Sequence, residues 1–167
     1  MHVQILIHKT INRTVLLNKY RFEGKYRTDT IFQKIEFVKD RIDYIYSEQP
    51  NNDTVLGFSF YFNKDSDSIL HIFNNQCPLI ESKKYKIKGR KYEIKKYYYD
   101  IENGSDEETS LYYNKRYGLL VAFNDGWMQL LWTINYDKTS SDLVDLILSD
   151  TSDFYPDKSV IRIKNTR

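Results

Sequence analysis

"YGLLVAFNDGWMQLLW", residues 117–132, contains two apolar runs on either side of a short polar turn. Asp125-Gly126 suits a tight turn that needs positive φ, and both flanking runs are apolar at consecutive positions. Because successive side chains of a strand point to opposite faces, continuous apolarity indicates burial on both faces. We therefore predict a β-hairpin at the centre of a sheet, with a helix covering it.

The covering helix is predicted at "SSDLVDLILSD", residues 140–150. Ser140 or Ser141 can accept a hydrogen bond from the first helical turn and so cap it. Apolar residues recur at three- and four-residue spacings, which is typical of a helix that buries one face. This apolar stripe consists of Leu143, Val144, Leu146 and Ile147.

Two-residue alternation dominates the rest of the chain, as expected of strands with one buried face. Residues 3–8 and 14–22 are predicted to be two short strands, and residues 55–62 and 69–73 a hairpin. Residues 159–164, "SVIRIK", are predicted to be a final edge strand.

Residues 30–46 fit both a helix and a hairpin. Apolar residues recur there at helical spacings, and the polar pair Thr28-Asp29 could cap such a helix. The alternation over residues 42–46 instead favours strands on either side of a turn at Lys39-Asp40. We favour the hairpin, from about residue 34 to residue 48, and keep the helix as the alternative.

A further hairpin is predicted in "KKYKIKGRKYEIKKYYYD", residues 83–100, which holds eight Lys or Arg and five Tyr. A two-residue loop at Lys88-Gly89 would pair Ile87 with Arg90. A four-residue loop over residues 88–91 would instead pair Ile87 with Tyr92. Because strand register follows the buried pattern, we predict the four-residue loop.

Composition also favours β-structure. The 167 residues include 15 Tyr, 9 Phe and 17 Ile but a single alanine, Ala122. Aromatic and β-branched side chains fit a pleated sheet, whereas alanine is the best helix former. We predict one domain over residues 1–167, of the α+β class and mostly antiparallel. Its expected form is a twisted, meander-like sheet or half-barrel with one or two short helices packed on it.

Neither a secretory signal nor a membrane span is predicted. The N-terminus lacks a cationic start and a small-residue cleavage site, and no window approaches 18 consecutive apolar residues. The lone Cys77 excludes an intrachain disulfide and a cysteine-based zinc site. We therefore expect a cytoplasmic protein. Because the net charge is only +2, electrostatic attraction of a partner has to come from local charged patches.

No catalytic residue, metal site or cofactor is predicted. Asn63, Asp65 and Asp67 have the spacing that opens a calcium loop, but Ser68 replaces its glycine and Asn74 its bidentate glutamate. The three histidines have no ligand spacing, and the chain contains neither a nucleophile motif nor a Gly-rich phosphate loop.

The charged segments are where we expect binding. The basic hairpin is followed directly by the acidic loop "DIENGSDEETS", residues 100–110. Tyr, Trp and Arg side chains dominate the energetics of protein interfaces, and both segments have such residues nearby. The predicted partner-binding residues are Lys88, Arg90, Lys91, Lys95, Tyr97, Tyr99, Glu102, Asp106, Glu107 and Trp127.

Residues 92–127, "YEIKKYYYDIENGSDEETSLYYNKRYGLLVAFNDGW", resemble a type of small, uncharacterised bacterial β-rich protein. Their shared features are an aromatic strand, an acidic loop, and a "YY…YGLL" strand that ends in a turn and Trp. Some proteins of this type are immunity proteins that act against secreted toxins. The resemblance implies a protein partner, namely a toxin, and assigns a role to no particular residue.

Three functional hypotheses follow. The first is a non-enzymatic binding protein, of the immunity type, that neutralises a toxin by direct contact. The second is a module that binds single-stranded nucleic acid through residues 83–96. Its cationic side chains would contact the phosphate backbone, and its aromatic rings would stack on the bases. The third is an enzyme whose site assembles from scattered residues such as His71, Asp100 and Glu102.

Overall fold

Ten antiparallel strands close into a barrel in the computed structural model of the protein. The structure describes residues 7–21, 25–50, 58–101, 104, 108–124, 129–135, 137–150, 152, 154 and 155. The strands are β1 (Ile7–Arg21), β2 (Lys25–Val38), β3 (Arg41–Ser47), β4 (Phe58–Asn63), β5 (Ser66–Ile72), β6 (Asn75–Ile87), β7 (Arg90–Tyr99), β8 (Thr109–Asn114), β9 (Gly118–Asn124) and β10 (Gln129–Asn135). A helix, α1 (Lys138–Leu148), follows β10.

Each strand pairs with its neighbours in sequence, and β1 also pairs with β10. The predicted mostly antiparallel α+β class is confirmed, but the open sheet and the half-barrel are wrong because the sheet closes. The sheet closes because residues 15–21 of β1 pair with β2 along one edge and with β10 along the other. Ile7–Arg21 is one strand rather than parts of two short ones. The edge strand predicted at residues 159–164 lies outside the described residues.

Residues 30–46 form a hairpin, so the helical alternative is wrong. Ile35 lies opposite Tyr44 and Phe37 opposite Ile42, on either side of the turn at Lys39-Asp40. Ile35 and Tyr44 both join the barrel interior. The two-residue alternation of the strands therefore explains the burial of apolar residues whose spacing also fits a helix.

Two hydrophobic clusters lie on the two sides of the barrel wall. The interior cluster draws residues from all ten strands, and its large buried rings are Tyr44, Tyr46, Phe60, Phe62, Tyr97 and Tyr113. The outer cluster lies between α1 and strands β6 to β10. On β9, Leu119 belongs to the interior cluster and Phe123 to the outer one. The two-sided burial predicted for the β9–β10 hairpin, and its cover by a helix, are confirmed.

Helix α1 begins earlier than predicted and is capped by another residue. The Asp137 carboxylate accepts a hydrogen bond from the Ser140 amide at 2.8 Å. Ser140 itself is buried within the first turn, so the predicted cap at Ser140 or Ser141 is wrong. The helix buries Leu143, Val144, Ile147 and Leu148. In the described part of the chain, no helix has both the length and the apolar character needed to cross a membrane.

Replacing Asp137 with alanine is expected to lower the free energy of unfolding by about 1 kcal/mol, because the first turn loses its side-chain acceptor. Asp137→Asn keeps an oxygen that can accept the same hydrogen bond and should retain most of that stability. Urea unfolding followed by tryptophan fluorescence measures both variants. Equal losses in the two would contradict the assigned cap.

Candidate partner-binding surface

The β6–β7 hairpin turns at Lys88 and Gly89, which have φ of 48° and 82°. Two central residues with positive φ form the tight hairpin turn whose twist matches the flanking strands. Ile87 therefore lies opposite Arg90, and Tyr85 lies opposite Tyr92. The predicted four-residue loop is wrong because the Lys88-Gly89 backbone adopts the tighter turn.

This hairpin extends beyond the barrel as a two-stranded ribbon. β5 pairs with β6 only as far as Pro78, and β8 pairs with β7 only from Lys95 onwards. We call residues 79–94 the basic ribbon. One of its faces packs in the outer cluster through Tyr85, Ile87, Tyr92 and Ile94. Its exposed cations are Lys84, Lys86, Lys88, Arg90 and Lys91.

Asp150 fixes the packed face of the basic ribbon to the segment after α1. Its carboxylate forms an ion pair with Lys83 and accepts hydrogen bonds from the Tyr85 hydroxyl at 2.7 Å and the Ser152 amide at 2.8 Å. Burial alone would raise the pKa of Asp150, but the bonds from Lys83, Ser152 and Tyr85 outweigh burial and hold this pKa well below its usual range. Lys83 is thus part of the scaffold.

A second group of cations comes from the β8–β9 turn, residues 115–117. The Asn114 side chain shapes this turn by accepting hydrogen bonds from the Arg116 amide at 3.0 Å and the Tyr117 amide at 3.3 Å. Its Nδ2 donates to the Glu93 carbonyl at 2.9 Å and so joins the turn to the basic ribbon. Lys115 and Arg116 are exposed on the turn.

Side chains of β1 to β3 also hold the same turn. Gln33 Nε2 donates to the Tyr117 carbonyl at 2.9 Å and to the Tyr46 hydroxyl at 2.8 Å. The Tyr46 hydroxyl in turn accepts a hydrogen bond from the Leu119 amide at 2.9 Å. Arg13 donates to the Arg116 carbonyl. Because these contacts cross the barrel, the turn is held in a fixed position beneath the basic ribbon.

A cleft of about 250 Å³ lies between the basic ribbon and the β8–β9 turn. Three of its charged residues already have partners, and two of them, Lys95 and Asp67, form an ion pair with each other. Glu93 accepts a hydrogen bond from the Ser82 hydroxyl at 2.8 Å. The remaining cations of the cleft have no acidic partner among the residues described, and they are Lys91, Lys115 and Arg116. The cleft is therefore suited to attract an anionic group.

The structure separates the predicted partner-binding residues of the hairpin into surface and core. Lys88, Arg90 and Lys91 are exposed. Tyr97 is fully buried in the barrel, and its hydroxyl donates to the Asp67 carbonyl. Burial raises the pKa of Tyr97, and the nearby Asp67 carboxylate adds to this shift. A partner could touch the Tyr97 ring only if the barrel opened, so we leave Tyr97 out of the candidate surface.

The tip of the basic ribbon lies far from Asp100, the first residue of the acidic segment. β7 runs for 10 residues from Arg90 to Tyr99, which separates its two ends by about 30 Å. The half-buried Tyr99 lies at the end far from the ribbon tip and packs against the interior cluster. Four of the predicted residues lie outside the described part of the chain, and they are Glu102, Asp106, Glu107 and Trp127.

The residues proposed for scattered catalysis have separate surroundings. His71 stacks on Tyr61 with ring centroids 4.6 Å apart, and Asp100 is exposed at the end of β7. Glu102 is outside the described residues. Burial raises the pKa of Cys77 to about 11, so its thiol stays protonated near neutral pH. Within the described ranges, no three His, Cys, Asp or Glu side chains are grouped to hold a metal ion.

No family model, no curated protein and no solved structure matches the chain. The basic ribbon and the β8–β9 turn are therefore interpreted from their geometry and charge. Sequence reasoning missed Lys115 and Arg116, although "NKRYG", residues 114–118, has the composition of a turn between two strands.

Proposed function

We propose that the protein is a non-enzymatic binding protein whose basic ribbon and β8–β9 turn contact an acidic surface of a protein partner. The proposal rests on one observation. Seven exposed cations lie on two adjoining elements at one end of the barrel: Lys84, Lys86, Lys88, Arg90, Lys91, Lys115 and Arg116. Asn114 and Asp150 hold both elements in place, so a partner meets a charged surface that needs little ordering.

The geometry supports a protein partner over single-stranded nucleic acid. Binding single strands without sequence preference depends on exposed rings on which bases stack. Tyr85 and Tyr92 pack in the outer cluster, and Tyr97 is buried in the interior one. Both tyrosine rings of the basic ribbon therefore pack against the core, and the ribbon presents mainly charge to a partner.

A toxin is the kind of partner to which the resemblance of residues 92–127 points. Immunity of this type requires tight contact with a surface of the toxin, and charge complementarity speeds the encounter. We place this activity in the cytoplasm, where the single cysteine of the chain would stay reduced.

Arg90→Gln combined with Lys91→Gln is expected to weaken binding to a fluorescent poly-glutamate peptide about tenfold at low salt, because it removes two exposed charges at the tip of the basic ribbon. The matched control is Arg27→Gln combined with Lys138→Gln, which removes the same charge elsewhere on the surface. Fluorescence anisotropy over a salt series measures both double variants.

The control pair should change the affinity by less than twofold, and increasing salt should remove the difference between the two variants. Equal weakening in both pairs, or no binding to poly-glutamate, would overturn the proposal. A mixed single-stranded oligonucleotide of similar charge is titrated in parallel. Tighter binding of that oligonucleotide than of poly-glutamate would support the nucleic-acid hypothesis instead.

A further inference from the structure

We propose that the free edge of β6, residues 81–87, binds an extended acidic segment of the partner as an added β-strand. This inference rests on the proposed function and specifies how the partner is held. Adding a strand to an exposed sheet edge is a known mode of peptide recognition, in which main-chain hydrogen bonds give affinity and side chains give specificity.

The edge exists because β5 leaves β6 early. Ile69 opposite Pro78 is the last pair between these strands, whereas β6 continues to Ile87 beside β7. The exposed start of β5 instead lies against β7, where Asp67 contacts Lys95 and Tyr97. Along residues 81–87, no second strand of the described chain borders β6.

The hydrogen-bonding pattern identifies the groups that point outwards. Ile87 and Arg90 close a two-residue turn, so this pair exchanges both main-chain hydrogen bonds. Alternation then directs the N–H and C=O groups of Ser82, Lys84 and Lys86 away from β7. Glu93, which lies opposite Lys84 on β7, follows the same rule. Its carbonyl points outwards and accepts a hydrogen bond from the Asn114 side-chain amide.

The hydrogen bond from Asn114 distinguishes the two edges of the basic ribbon. On the β7 side, Asn114 occupies an outward carbonyl. On the β6 side, no hydrogen bond reaches the main chain of Ser82, Lys84 or Lys86 from the residues that the structure describes. Among the described residues, the β6 edge is therefore the one whose outward main-chain groups have no hydrogen-bond partner.

Charge selects an acidic strand over a second copy of the protein. Three exposed lysines lie on or beside this edge, namely Lys84, Lys86 and Lys88, and Glu81 is the one acid among residues 81–88. Two copies paired edge to edge would bring these lysines together, and like charges on adjacent strands are destabilising. A partner strand with alternating carboxylates would lie over Lys84 and Lys86, which also deter uncharged strands.

Lys84→Pro tests the edge directly, because it removes an outward N–H while the pairing of β6 with β7 stays intact. Lys84→Gln is the matched control, since it removes the same charge and keeps the N–H. The probe is a short fluorescent peptide of alternating Thr and Glu. We expect the dissociation constant to rise about threefold for Lys84→Gln and about a further fivefold for Lys84→Pro.

Amide hydrogen exchange of the unmodified protein provides a second readout. Saturating peptide should slow exchange at Ser82, Lys84 and Lys86, and a peptide N-methylated at alternate residues should not. Equal affinity of the two Lys84 variants, without protection of these amides, would overturn the strand-addition mode. The proposed function would still stand if Arg90→Gln with Lys91→Gln weakened poly-glutamate binding. Protection that rises with protein concentration in the absence of peptide would indicate self-association and also overturn the inference.

Discussion

Gly118→Ala is expected to lower the free energy of unfolding by about 3 kcal/mol, because the added methyl group combines backbone strain with a steric clash. Gly118 has φ of 80°, a conformation that costs an alanine about 1 kcal/mol. A Cβ at this position would also lie 2.5 Å from the Tyr46 hydroxyl and 2.6 Å from Gln33 Nε2. Both distances are shorter than van der Waals contact.

Neither neighbour can move away easily. The Tyr46 ring stacks on Phe58 with centroids 4.3 Å apart, and its hydroxyl is bonded to Gln33 and to the Leu119 amide. Shifting either side chain would break hydrogen bonds inside the barrel and leave buried polar groups unpaired, which is costly. The β8–β9 turn, and with it Lys115 and Arg116, depends on this packing.

Gly89→Ala is the matched control for this prediction. Gly89 has nearly the same φ, 82°, but a Cβ there would meet nothing within 4 Å. Gly89→Ala is therefore expected to lower the free energy of unfolding by the backbone cost alone, about 1 kcal/mol. Urea unfolding of both variants separates backbone strain from the clash. If the two variants lost the same free energy, the close packing of Gly118 against Tyr46 and Gln33 would be disproved.

Local pattern was enough to predict the β9–β10 hairpin, the β2–β3 hairpin and α1. Each depends on spacings within a few residues, such as the apolar stripe of α1 or the alternation around Lys39-Asp40. Closure of the barrel could not be predicted in the same way. It depends on contacts such as Val15 opposite Asn135, between residues far apart in the chain, and no local pattern specifies such a pair.

The register of β6 and β7 shows another limit of periodicity. The predicted and observed registers differ by a shift of two residues, so both leave Tyr85, Ile87, Tyr92 and Ile94 on the same face. The buried pattern therefore cannot distinguish them. The turn decides the register, and it requires Lys88 to adopt φ of 48°, which is uncommon for a residue other than glycine.

Only the part of the candidate surface whose exposure does not depend on closure of the barrel could be predicted from the sequence. Lys88, Arg90 and Lys91 lie at a hairpin tip, which is exposed in any arrangement of the sheet. Alternation along β7 places Tyr97 on the face opposite Ile94. In a closed barrel, however, that face is the interior, so Tyr97 becomes core.

Asp150→Asn is expected to lower the free energy of unfolding by about 2 kcal/mol near neutral pH, because a buried carboxylate loses its ion pair with Lys83 and a charged acceptor for Tyr85. The folded state lowers the pKa of Asp150. The stability from this group is therefore fully present above the usual aspartate pKa of about 3.9 and is lost as the pH falls towards the folded-state value. The stability difference between wild type and variant should be constant from neutral pH down to mild acid and shrink below about pH 4.

Asp145→Asn is the control for that prediction, since Asp145 is an exposed aspartate on α1. Its expected effect is below about 0.5 kcal/mol at any of these pH values, as for most surface substitutions. Urea titrations of the three proteins across the acid range provide the comparison. A difference for Asp150→Asn that stayed constant or grew on acidification would contradict the role of the ionised carboxylate. The attachment of the basic ribbon to the segment after α1 would then have to come from the packing of Tyr85 against Phe154, whose ring centroids lie 6.3 Å apart.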